Sequence, residues 1–265
     1  MHFFGGETDE ITIPERISGS SRLDYPHHIP PSVYNILHVL VDQAGFEYWN
    51  ADYFPPMSKA TKDPAVICVQ QYVIVAAGVS DCDLDKSVEV MNIKSETWFQ
   101  VASLPEAVSS LTAACCGDQL YFLGGRDKNG STSSVFTCSV RSLIMHSDFY
   151  LGKKLRQQAS ENPVWQKAAD VPVLCSTCVA INDQLFAVGG RTSRYRPLSD
   201  IYCCHPLHDS WQIAGQMPTA RSLCIAAFVT YKLVVVGGSI KNVEPIDVVE
   251  TGTFISGMLT CNRTK

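Results

Sequence analysis

The sequence predicts an all-β chain built from about five repeats of four short antiparallel strands, three of them full and two partial. Three observations predict it. Apolar runs end in paired glycines at Gly5-Gly6, Gly124-Gly125, Gly189-Gly190 and Gly237-Gly238, with a degenerate copy at Ala77-Gly78. All four tryptophans, Trp49, Trp98, Trp165 and Trp211, interleave with these pairs, each 25 to 29 residues before the next second glycine. Between these marks stand runs of four to six apolar residues separated by Gly, Asn, Asp and Pro, which is strand-and-turn chemistry.

Taken in order, the units are 1–57 (partial), 58–105, 106–172, 173–218 and 219–265 (partial), within a single domain. The first begins at its second strand, Phe3-Phe4, and ends beyond Trp49. The fourth shows the full pattern: Cys178–Ile181, the turn pair Asn182-Asp183, Leu185–Val188, then Ile201–Cys204 and Trp211–Ile213. The fifth, from Thr219, reaches a third strand near Ile246–Val249 and has no tryptophan. Two intervals are longer than the rest. Residues 7–33 are polar, acidic and proline-containing, the composition of a flexible loop. Residues 141–163 place Leu143, Ile144, Leu151 and Leu155 among Lys153, Lys154 and Arg156, a short amphipathic helix on the rim. A glycine pair lets the strand end turn where a Cβ would obstruct it. A tryptophan supplies a broad apolar plate between neighbouring sheets. One four-stranded unit cannot bury both faces, so the units stack around an axis.

Composition bounds the function. Of 265 residues, 46% are hydrophobic and 18% charged, enough for a core. The net charge of −5 argues against a general nucleic-acid or membrane-surface binder. No apolar run approaches the ~20 residues of a spanning helix, and the first residues do not form a signal peptide. The eleven cysteines are odd in number and sit mostly in apolar runs, so reduced thiols in a cytoplasmic setting are expected.

The paired glycines, the tryptophan about 20 residues on, and the apolar-turn-apolar stretch before the glycines resemble the kelch repeat over nearly the whole chain. The resemblance implies a β-propeller that binds a protein on the face carrying its loops. Such propellers often serve as substrate receptors of cullin-type ubiquitin ligases when joined to BTB and BACK or F-box domains, none of which precedes the repeats here. An actin-associated or other scaffold is the alternative, and some kelch-type propellers are copper oxidases or sugar-isomerising enzymes. Family propellers usually close with six blades, so an open or incomplete propeller is expected. The sequence departs from the family at Asp42, Met91 and Cys204, where an aromatic is usual seven residues before the tryptophan. It departs also at Ala77, and at Thr61, Val108 and Val173, where only the equivalent Arg221 keeps the family's arginine.

No nucleophile, base and orienter converge in the sequence, and neither a G-x-S-x-G nor a Walker-type loop is present. Cys175-Ser176-Thr177-Cys178 lacks a second ligand pair. Cys203 and Cys204, followed by His205 and His208, lie on opposite strand faces. A non-enzymatic module with no cofactor or metal is therefore expected. The loops after the glycine pairs carry opposite charges: Asp81, Asp83 and Asp85 in the second unit, Arg191, Arg194, Tyr195 and Arg196 in the fourth. Arginine beside an aromatic combines forked hydrogen bonding with stacking. An acidic peptide is thus the expected partner of a basic side made of Arg126, Arg191, Arg194, Tyr195, Arg196, Arg221 and Lys241.

Overall fold

Alternating burial along short strands organises the whole molecule. The computed structural model describes residues 55–143, 165–174, 177–206, 208, 210–240, 244–255 and 258–263. The first sheet runs in the order β1 (Ala65–Val69), β2 (Tyr72–Ser80), β3 (Asp83–Asn92) and β4 (Thr97–Val101). The next unit contains β5 (Thr112–Cys116), β6 (Gln119–Leu123), the two-residue strands β7 (Arg126–Asp127) and β8 (Gly130–Ser131), β9 (Val135–Ser139) and β10 (Gln166–Ala168). Its sheet is ordered β5-β6-β9-β10, while β7 and β8 form a separate small hairpin. The last two units are β11 (Thr177–Ile181), β12 (Gln184–Val188), β13 (Leu198–His205), β14 (Ser210–Arg221), and β15 (Ile225–Val229), β16 (Lys232–Val236), β17 (Val249–Ile255), β18 (Met258–Arg263). The fold class expected from the sequence is thus observed: all-β, in repeated units of four antiparallel strands, the last two joined into one sheet through a parallel pairing of β14 with β18. One detail differs. The unit from 219 does not stop near Ile246–Val249; its third strand begins at Val249 and a fourth follows. Glu250, Thr251 and Thr253 broke the apolar signal there.

The first strands of successive units touch, β1 with β5, β5 with β11 and β11 with β15, so they line a common axis and the sheets are blades around it. Because strand side chains alternate, each blade offers one face forward and one back. Ile74, Ala76, Val88 and Val90 of the first blade pack on Leu120, Phe122, Phe136 and Cys138 of the second. Tyr121, Leu123 and Val135 then face Leu185, Ala187 and Cys204, and Val188 and Ile201 face Leu233, Val235 and Leu259. Cys203 and Cys204 fall into different clusters, as strand alternation demands.

The tryptophans stitch each blade to the exit of the one before. Trp98 Nε1 donates to the Pro55 carbonyl at 2.8 Å, Trp165 to Ala102 at 2.7 Å and Trp211 to Ala169 at 3.0 Å. Residues seven before the tryptophan lie directly across from it, Met91 opposite Trp98 and Cys204 opposite Trp211. The glycine pairs do similar work: Gly78 N donates to the Val108 carbonyl of the following blade at 2.8 Å, and Gly190 N to Arg221 at 3.0 Å. A Cβ on Gly125 would sit 2.4 Å from the Ser109 carbonyl, and its φ is +92°. Ala77 occupies a first-glycine position at φ 62°, a left-handed conformation that costs a side-chain-bearing residue about 1–2 kcal/mol. Ala77→Gly is therefore expected to raise stability by up to about 1 kcal/mol in urea denaturation.

Of the 141–163 insertion, only its first residues are described: a helical turn covers 140–143, with Leu143 fully buried in the core rather than on the rim. The 7–33 insertion, Gly5, Gly6 and Trp49 lie outside the described residues. Among the described residues, no helix is long and apolar enough to cross a membrane.

Candidate functional site

The basic residues singled out in the sequence divide sharply in space. The Arg191–Pro197 segment is a tight loop: Thr192 N bonds the Arg196 carbonyl at 2.9 Å, and Tyr195 N bonds the Thr192 carbonyl at 2.9 Å. Tyr195 adopts φ 60° to close it. The turn pushes Arg194, Tyr195 and Arg196 into solvent, with Tyr195 63% exposed. The Arg191 guanidinium lies over the Tyr195 ring, 4.8 Å from its centroid, a cation–π contact. Its Nη2 also donates to Ser131 Oγ at 3.3 Å. Ser131 pairs with Arg126 across the β7–β8 hairpin. The loops of the second and third blades therefore meet, bringing Arg126, Arg191 and Tyr195 into one neighbourhood.

Arg221 is a correction. Its backbone carbonyl lies beside this loop, accepting from Gly190 N, but the side chain turns inward and is 0% exposed. Nη2 is 2.8 Å from Glu250 Oε2, and Nη1 donates to the Gly237 and Val248 carbonyls at 3.0 and 2.9 Å. It holds the last blade together and offers nothing to a surface partner. The equivalents Thr61, Val108 and Val173 are buried too. Lys241 lies outside the described residues. Glu250 escaped the sequence reading, although a buried Glu89 occupies the same register, opposite Val75 as Glu250 is opposite Val235.

The acidic loop is less available than its sequence suggests. Asp81 and Asp83 are exposed. Asp85 is held locally by Ser87 Oγ at 2.6 Å, Ser87 N at 3.1 Å, Lys86 N at 2.7 Å and Lys59 Nζ at 3.2 Å. Burial pushes its carboxyl up, but these bonds outweigh burial and bring it down to about 2. A depressed carboxylate stabilises the fold above its ordinary value of 3.8 and loses that contribution as pH falls toward 2. The stability gap between the wild-type chain and Asp85→Asn should therefore close between pH 4 and pH 2 in acid titrations followed by circular dichroism.

Cys68, Cys82, Cys115, Cys116, Cys138, Cys203 and Cys261 are free thiols. Burial pushes Cys138 up to about 12, with Asp118 and Cys115 adding to it, and Cys261 up to about 11, with Glu250 adding to it. Such thiols stay protonated near neutrality and behave as small core groups. His205 and His208 stand 5.2 Å apart between ring centroids. Among the described residues, no group of three or more His, Cys, Asp or Glu side chains could hold a metal ion. A cleft of about 340 Å³ between the second and third blades, bordered by Gln119, Thr137, Lys167 and Trp211, had no signature in the sequence. Its walls come from separate units.

Comparison with known proteins agrees with the repeat. The model of the Kelch motif matches residues 172–218. Kelch-like protein 35 of Mus musculus is 26% identical over 65% of the chain and 26% of its own length. Kelch repeat protein M-T8 of Myxoma virus is 20% identical over 65% of the chain and 40% of its own length. The chain thus spans between a quarter and two fifths of these relatives. The solved structure titled "Structure of YjhT" superposes with a TM-score of 0.60 at 16% identity, covering 78% of this chain and 70% of that one. These likenesses corroborate repeat and fold. They also overturn one expectation. The fold shared with YjhT does not separate interaction modules from enzymes, because one scaffold hosts both. The exclusion of catalysis does not stand.

Proposed function

The chain belongs to the kelch-repeat family, and on that premise we propose that it binds an acidic segment of a partner protein on the loop face, through Arg126, Arg191, Arg194, Tyr195 and Arg196. The observation that carries this reading is the Arg191–Tyr195 stack, braced on Ser131 of the neighbouring blade, with Arg194 and Arg196 exposed on the same loop. A braced loop costs little entropy on binding. The stacked pair fixes one guanidinium, and the flanking arginines offer forks matched to carboxylates. A cytoplasmic substrate receptor of a cullin-type ubiquitin ligase is the assembly this reading favours, with a scaffold role as the second form of the same binding activity.

The test is affinity capture with mass spectrometry, comparing the wild-type chain with an Arg194→Ala/Arg196→Ala variant of matched circular dichroism. A fluorescent hexaglutamate peptide serves as a direct probe. Binding should fall at least about tenfold, the loss typical of truncated interface anchors, and weaken as salt rises. Unchanged capture and unchanged peptide affinity would move the partner site away from this loop.

A further inference from the structure

The β7–β8 hairpin combines an exposed amide with an unhindered backbone nitrogen. Of all the asparagines in the chain, Asn129 alone is followed by glycine. Asn129 is exposed at the hairpin tip. A Cβ added to Gly130 would meet no heavy atom within 4 Å. That openness matters, because the nitrogen of the following residue can close on the asparagine amide carbon as a succinimide ring, and a side chain there crowds the ring. Asn92 is the opposite case. It is 6% exposed, its Oδ1 accepts from Lys94 N at 2.9 Å, and the nitrogen that would attack it, Ile93 N, donates to the Gln71 carbonyl at 2.9 Å. Asn182 is exposed, but the side-chain-bearing Asp183 follows it. The hairpin around Asn129 is held by strands of two residues each. A two-stranded hairpin is marginally stable on its own, so this turn opens locally to the geometry the ring requires.

We propose that Asn129 is a modification site at which the side-chain amide converts to a carboxylate, and that this conversion weakens the basic loop face. The Gly130 nitrogen attacks Asn129 Cγ. The N–Cγ bond forms, the bond from Cγ to the amide nitrogen breaks, and ammonia leaves with the proton that Gly130 gives up. Water then opens the imide. Addition at Cγ leaves aspartate, and addition at the main-chain carbonyl leaves isoaspartate, with the chain routed through Cβ and Cγ. No oxidant or reductant takes part. The consequence for binding rests on the acidic-partner reading above. The hairpin carries Arg126 and Lys128 against Asp127, and a carboxylate at position 129 balances the two signs. Isoaspartate also lengthens the main chain at the turn, which breaks the register of Arg126 with Ser131. Ser131 Oγ braces Arg191 Nη2, and Thr132 N donates to the Gly125 carbonyl at 3.0 Å. Conversion therefore loosens the brace of the stacked arginine and adds a charge that repels a carboxylate partner.

The test ages the full chain at mildly alkaline pH in water enriched in heavy oxygen, beside an Asn129→Gln variant whose longer side chain closes the ring poorly. Peptide mapping with electron-transfer fragmentation should find heavy-oxygen aspartate and isoaspartate at position 129, formed at least tenfold faster than at Asn92 or Asn182. Amide exchange at Thr132 should rise at least tenfold in the aged wild-type chain and stay unchanged in the aged variant. Hexaglutamate affinity should fall several-fold in the aged wild-type chain alone. Conversion at position 129 no faster than at Asn92 and Asn182 would overturn the modification site. Conversion that leaves Thr132 exchange and peptide affinity unchanged would overturn its effect on the loop. A fresh chain that does not bind hexaglutamate defeats the acidic-partner reading instead, and conversion and Thr132 exchange still decide the modification and its effect on the hairpin.

Discussion

Arg221→Ala is expected to cost about 3–5 kcal/mol, the loss usual when one member of a buried ion pair is removed. Arg221 and Glu250 are both 0% exposed. Deleting the guanidinium strands the carboxylate in the core, removes the Nη1 donor from the Gly237 carbonyl and leaves the Val248 carbonyl with only the Gly237 N–H. The cost lies in those abandoned groups rather than in the attraction itself, because desolvation offsets much of the Coulomb gain. That separates two outcomes. Arg221→Val with Glu250→Phe copies the second blade, where Val108 and Phe136 hold the same positions and are fully buried. The double variant should recover most of the stability lost by Arg221→Ala, measured by urea denaturation as a double-mutant cycle. If the two substitutions simply add, the residues are not coupled and the burial argument fails. The backbone of Arg221 adjoins the basic loop, so a binding defect in Arg221→Ala is interpretable only alongside its unfolding curve.

How far the sequence carried can be seen residue by residue. Strand positions were legible because burial follows pattern: Leu185–Val188 was expected and Gln184–Val188 is observed. The turn at Asn182-Asp183 was legible because both residues tolerate positive φ, here 48° and 59°, as a tight hairpin requires. The last strand was not. Met258–Arg263 includes Thr260, Asn262 and Arg263, and its backbone partners are chosen by tertiary contact. At the candidate site, the exposed loop arginines and Tyr195 were legible as a charge cluster. The inward turn of Arg221 was not, although its alignment with Thr61, Val108 and Val173 carried the clue: a position small or apolar in three repeats is a buried one. Reading charge as exposure failed because Glu250, 29 residues on and buried in β17, neutralises it.

Gly215→Val is expected to detach the last blade's outer strand, with a loss of about 3 kcal/mol at the upper end of overpacking costs. The argument runs through the tryptophans. Ala102 and Ala169 stand four residues after Trp98 and Trp165, and each accepts the next blade's indole N–H. Gly215 stands four residues after Trp211, but the following blade has no tryptophan. In place of an indole, β18 itself pairs with β14 in parallel, Gly215 with Leu259 and Gln216 with Thr260, which merges the last two blades into one eight-stranded sheet. Main chain can come that close only to glycine: a Cβ on Gly215 would lie 2.2 Å from the Leu259 carbonyl oxygen. That oxygen belongs to backbone and cannot swing aside as a side chain would, so the strand must leave. Amide hydrogen exchange should show β17 and β18 losing at least a hundredfold protection while β1–β4 keep theirs, since stability is local when a blade has few other bonds to its neighbour. The β11–β15 contact along the axis is the competing anchor. If exchange in β18 is unchanged by the valine, that inner contact alone seats the blade, and the missing tryptophan needed no replacement.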